Sequence, residues 1–124
     1  MSSTPEGKVK DWLYGSKQKP GKLFQYFPGA WVYKPPGGFF GRAGTADCIL
    51  CWRGIFVAIE IKAAYEDGGK EPTALQLRSL RDVISAGGVG AVLRGKDEQR
   101  LAAIKTAVLD KLKAIQDESE STFR

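Results

Sequence analysis

Residues 47–62, DCILCWRGIFVAIEIK, set two apolar runs on either side of Arg53-Gly54, and this stretch constrains the chain more than any other. A glycine-containing pair between two such runs is tight-turn chemistry, so Asp47–Trp52 and Ile55–Lys62 read as the two strands of an antiparallel hairpin. In the second strand, alternation sends Ile55, Val57, Ile59 and Ile61 to one face and Phe56, Ala58, Glu60 and Lys62 to the other. The first face is wholly aliphatic. The second ends with a carboxylate beside an ammonium, and such groups are costly to desolvate unless they are paired or bind a ligand. In a hairpin turning at Arg53-Gly54, Asp47 falls opposite the end of the second strand, near Glu60.

The flanking sequence supplies the rest of an α/β domain. Glu6 to Tyr14 follows Pro5 and carries Val9, Trp12 and Leu13 at helical spacing. Leu23, Phe24 and Phe27 suit a further helical turn, and Trp31–Tyr33 suits a short strand. Lys34 to Ala46 (KPPGGFFGRAGTA) has no sustained period and reads as a mobile loop. Thr73 is placed to cap a helix running to Ala86, which Gly87-Gly88 ends. Val89–Leu93 then reads as a strand, and a right-handed crossover would set it parallel to the strand carrying Glu60. A last helix from Asp97 or Glu98 presents Leu101, Ile104, Val108, Leu112 and Ile115 on one face, and Asp117–Arg124 reads as a frayed tail. The expected domain is single and spans residues 1–124, with its core at about 5–116.

Composition narrows the chemistry. The chain has 124 residues and no histidine, which removes the commonest general base, Ser-His-Asp triads and His-based zinc sites together. Catalysis here must use carboxylates, lysine and a metal. A net charge of +5 suits a polyanionic partner. No apolar run approaches the length of a membrane span, and the amino terminus lacks a signal-peptide layout, so a soluble cytoplasmic protein without membrane association is expected. Cys48 and Cys51 have the C-x-x-C spacing of redox and zinc sites, but on a strand an odd offset points them to opposite faces. They read as structural thiols.

Asp47 and Glu60 would converge as hard oxygen ligands for magnesium, with manganese able to substitute, and the backbone carbonyl of Ile61 would add a third. Such a site polarises a phosphodiester and activates water. Lys62 would orient that water or stabilise charge on the phosphate. In the loop, Lys34 and Arg42 suit phosphate contacts, and Phe39 and Phe40 suit stacking on exposed bases.

Taken in order, GTAD at Gly44–Asp47, IEIK at Ile59–Lys62, PTALQ at Pro72–Gln76 and AGG at Ala86–Gly88 resemble the VRR-NUC branch of the PD-(D/E)XK nucleases. The resemblance spans Glu6 to Leu93. It implies a PD-(D/E)XK nuclease-like α/β domain, a central mixed sheet flanked by helices, acting as a magnesium-dependent endonuclease on DNA. It further implies a preference for branched or junction DNA, and a homodimer presenting two sites. By the same resemblance Asp47 and Glu60 are the metal carboxylates and Lys62 the motif lysine. Gln76 is the polar residue of the following helix, and Glu6 the acid of the first helix. Ala46 departs from the pattern, since a proline stands there in the family. The competing expectations are a non-catalytic DNA-binding module that keeps the nuclease fold, and a structural protein with a basic surface.

Overall fold

The structure, a computed structural model, describes residues 3–36 and 44–123, with side chains described as far as residue 119. The hairpin forms as its sequence dictates: β2 (Cys48–Trp52) and β3 (Ile55–Lys62) pair antiparallel from Cys48↔Ile59 to Trp52↔Ile55. Arg53 and Gly54 both adopt positive φ (53° and 84°), the signature of the turn that matches the twist of paired strands. β1 (Trp31–Tyr33) adds antiparallel to the outer edge of β2. On the other side, β4 (Val89–Arg94) lies parallel to β3, giving a mixed four-stranded sheet in the order β1-β2-β3-β4.

The helices occupy both faces. α1 (Pro5–Tyr14) starts at Thr4, whose hydroxyl accepts the Gly7 N–H, and Pro5 sits where its missing N–H is harmless. α1 ends at Gly15, with φ 71°, where a side chain would run into the Gly21 and Lys19 backbone at 2.2 and 2.3 Å. The chain then turns into the short α2 (Lys22–Tyr26). Val9, Leu13, Leu23 and Phe27 meet Leu101, Ile104 and Val108 of α4 (Glu98–Phe123) over the aliphatic face of β3. This is the main core. The opposite face carries α3 (Ala74–Ser85), whose Leu80 packs with Ala46 and Ala58 in a much smaller cluster. Burial of Ala46 there accounts for a small apolar residue at that position. β1 and the start of β3 keep large aromatics open to solvent: Trp31, Tyr33 and Phe56 are exposed.

Three expectations change. β2 begins at Cys48, one residue later than expected, for a reason given below. α4 does not fray at Asp117 but continues to Phe123, since no glycine or proline interrupts residues 98–123. Ile115, expected on the core face of that helix, is exposed, because the last core contact along α4 comes from Leu112. Phe39, Phe40 and Arg42 lie outside the described residues. Among the described residues no helix is long and apolar enough to cross a membrane.

Candidate active site

β3 is apolar for five residues and then places Glu60 and Lys62 at its carboxyl end, on the face that α3 shares. The Cys48↔Ile59 pairing sets Asp47 opposite Glu60. Asp47 does not continue the ladder with its backbone. Its side-chain Oδ2 instead accepts the Ile61 N–H at 2.9 Å, where a β2 carbonyl would otherwise stand, and this is why the strand begins only at Cys48. The Ile61 carbonyl lies on the same strand edge as its N–H, toward Asp47. The Tyr14 hydroxyl, reaching over from the end of α1, donates to the Asp47 carbonyl at 2.9 Å and fixes the backbone from behind.

Glu60 is the one buried charged residue among the described positions, with 2% exposure. Its Oε1 lies 3.8 Å from Lys62 Nζ, whereas Oε2 has no hydrogen-bond partner at all. Buried oxygens in this state are rare and call for a ligand or a proton. The carboxyl pKa is pushed up to about 8, first by burial and then by the neighbouring Asp47 carboxylate, with Lys62 pulling in the opposite direction. Two carboxylates held together in low dielectric are poised for a cation to neutralise them.

Glu6 is brought to the same place through a residue that the sequence did not single out. α1 packs Val9 and Leu13 inward, which leaves Glu6 and Lys10, one turn apart, at the end of the sheet. Lys10 Nζ lies 3.5 Å from Glu6 Oε2 and 3.3 Å from Asp47 Oδ1. Burial lowers the Lys10 pKa, but Asp47 and then Glu6 outweigh it and leave it raised. The E-x-x-x-K spacing was visible in the sequence. The long-range partner, Asp47, was not. Tyr14 gave no signal beyond its place on the helix.

Gln76 sits elsewhere in the hydrogen-bond network. Its Oε1 accepts the Thr73 N–H at 2.8 Å while its own N–H donates to Thr73 Oγ1, so the pair forms the capping box of α3. No hydrogen bond joins it to Lys62. Lys34 stands 4.4 Å over the Tyr14 ring, within reach of the site's outer edge. Cys48 and Cys51 are free thiols, one buried and one half-buried on opposite faces, and burial pushes the Cys48 pKa up to about 11. Cys48 is thereby held as a neutral thiol.

Lys62 opens onto a cleft of about 460 Å³. Thr4, Pro5 and Glu6 form one wall, and Ala63 with Asp67–Lys70 the other. That second wall is fastened to β4: Arg94 donates from Nη1 to the Ala63 carbonyl and from Nη2 to the Lys70 carbonyl, both at 2.9 Å, with its guanidinium 3.7 Å above the Tyr65 ring. A larger hollow of about 530 Å³ lies beyond it, lined by Tyr65, Leu77, Arg94 and Arg100. It contains none of the carboxylates described above, and both of its arginines already donate to backbone carbonyls.

Among the described residues no three histidine, cysteine, aspartate or glutamate side chains gather closely enough to hold a metal by themselves. The donors available at this end of β3 are the Asp47 and Glu60 carboxylates and the Ile61 backbone carbonyl. Magnesium characteristically takes one or two carboxylates and completes its shell with water and substrate phosphate, so the set fits that ion. The orphaned Glu60 Oε2 is the observation that favours the fit.

No protein-family model and no curated protein matches the chain. Among solved structures, the chain is similar to a "VRR_NUC domain protein", with 21% identity, a TM-score of 0.52, and coverage of 86% of this chain and 89% of the other. Since so much of each chain is covered at so low an identity, the likeness is one of architecture: this mixed four-stranded sheet with helices on both faces is the fold of a VRR_NUC domain.

Proposed function

We propose that the chain is a divalent-metal-dependent nuclease of the VRR-NUC type, hydrolysing DNA phosphodiester bonds with magnesium and favouring branched DNA. The observation that carries this reading is Glu60, a buried carboxylate with one oxygen unpartnered, held beside Asp47 and Lys62 at the end of an aliphatic strand. The fold likeness and the motif order support it. So does the face that carries Glu60. Strand pairing extends it through Cys51 and Ile49 to Trp31 and Tyr33, whose stacked, exposed rings suit contact with nucleobases.

Asp47, Glu60 and the Ile61 carbonyl would hold the ion. A bound divalent ion would supply a Lewis acid for the phosphoryl oxygen and a water of lowered pKa. The chain's own residues do the rest. Asp47 is locked by the Ile61 N–H and, through its carbonyl, by Tyr14, so its carboxylate keeps one orientation beside Glu60. Lys62, 12% exposed at the floor of the cleft, offers an ammonium to the non-bridging oxygens as negative charge grows on the phosphate. Burial of Glu60 keeps bulk water from competing for its carboxylate.

The test is a magnesium-dependent cleavage panel of linear duplex, single strand, flap, splayed arm and four-way junction, with Lys62→Ala alongside. Faster cutting of the branched substrates, lost in the folded Lys62→Ala protein, is the expected result. Binding of all five without cutting any would turn the reading into that of a non-catalytic module. Sedimentation of the protein, with and without a junction, tests the accompanying homodimer.

A further inference from the structure

Lys10 occupies a position that the proposed chemistry leaves unexplained. Its ammonium bridges carboxylates from two separate elements, Glu6 of α1 and Asp47 at the mouth of β2. Asp47 has its other oxygen on the Ile61 N–H, so both of its oxygens are engaged. Lys62, the second ammonium of the cluster, is set against Glu60 Oε1. The cluster thus sets two ammonium groups against three carboxyl groups, and the buried Glu60 Oε2 is left without a hydrogen-bond partner.

We propose that Lys10 is an internal counter-cation that holds Asp47 until a divalent ion takes it, and so sets the affinity of the site by competing with that ion. This rests on the metal-site reading above. An ammonium at 3.3 Å from Asp47 Oδ1 would stand within ion-pair distance of any cation bound to the same carboxylate, and two cations so placed repel. Asp47 therefore serves one of them fully or both of them poorly. Glu6 makes the exchange feasible. It lies one helical turn before Lys10 and already holds the ammonium at 3.5 Å, so Lys10 leaves Asp47 without becoming a free, unpaired charge. Glu6 acts in this arrangement as a resting place for Lys10, and Lys10 as a positioning residue for the carboxylates.

A surface ion pair of no consequence would give a different result from a competitor. Competition is reciprocal: whatever Lys10 contributes to holding Asp47 in the absence of metal is subtracted from the binding of metal. Removing the ammonium should loosen the metal-free protein and tighten the metal-bound one.

The experiment is calorimetric titration of Mn²⁺ into the full chain without nucleic acid, on wild type, Lys10→Met, Lys10→Arg and Asp47→Asn. Lys10→Met is expected to bind at least about fivefold more tightly than wild type, within the usual range of coupling between two sites. Lys10→Arg should stay close to wild type, and Asp47→Asn should abolish the heat. Melting adds a second reading: Lys10→Met should unfold at lower temperature than wild type without metal, yet gain more from Mn²⁺. If Lys10→Met fails to fold, Lys10→Gln is read in the same way. Equal or weaker binding by the Lys10 variant, with Asp47→Asn still inactive, overturns the competition and leaves the metal site standing. If wild type and Asp47→Asn take up Mn²⁺ alike, or neither does, the metal site falls and the competition with it.

Discussion

The two faces of β3 come from one run of eight residues, yet they have opposite relations to their surroundings. Ile55, Val57, Ile59 and Ile61 enter a continuous core built by α1, α2 and α4, and all four are buried. Phe56, Ala58, Glu60 and Lys62 meet a thin cluster around Leu80, an exposed ring and an oxygen without a partner. The first face is consistent at every level, from alternation to packing. The second gives up local stability at its end, and that is where the acids and lysines gather. A strand can hold an unfavourable carboxylate in place because its other side is so well anchored.

The widest separation between the faces should appear on deleting core atoms. Ile59→Ala is expected to cost about 2–5 kcal/mol, read from urea or thermal unfolding, while cleavage per folded molecule at low temperature stays near wild type. A loss of activity in the folded fraction would mean that the aliphatic face tunes the site as well as supporting it.

One residue along, Glu60→Gln should do the reverse. Cleavage is expected to fall at least about a hundredfold, roughly 2.7 kcal/mol of barrier, with no loss of melting temperature. A variant that cut normally, or that unfolded as Ile59→Ala does, would erase the contrast between the faces.

The finest test is the dependence on pH. The Glu60 carboxyl ionises near 4.5 in an unfolded chain and about 8 in the fold, so the folded state holds its proton more tightly. Stability from this group is fully present below about pH 4.5 and is lost as pH rises through about 8. No histidine titrates in that window. Melting temperature without divalent ions should therefore decline from pH 5 to pH 9 in wild type and decline less in Glu60→Gln. Parallel curves would assign the decline to other groups.

The sequence made local features legible and long-range ones opaque. Alternation placed Glu60 beside Lys62, and Arg53-Gly54 fixed the register that puts Asp47 opposite Glu60. Both follow from neighbours in the chain. The Lys10–Asp47 pair joins residues from different elements, and nothing near either residue announces it. Gln76 shows the converse. Its family resemblance pointed to the site, whereas the T-x-x-Q spacing with Thr73 already described the capping box that the structure contains. Ile115 fitted the helical period but not the length of the sheet beneath it, and periodicity alone does not say where a core ends.

Arg94 has a consequence for traffic through the cleft. By clasping Ala63 and Lys70 it leaves the wall beside Lys62 nothing to swing on, and Gly69 admits no side chain there, since one would strike the Ala63 oxygen at 2.0 Å and Arg94 Nη1 at 2.7 Å. The facing wall, the first turn of α1, is joined at this end to Asp47, just before β2, through Lys10. One wall of the cleft is thus clamped by paired hydrogen bonds to β4, while the other meets the sheet at this end through an ion pair. Under the proposed function, the α1 side, where Lys10 is expected to change partners, is the side that yields to a bound strand.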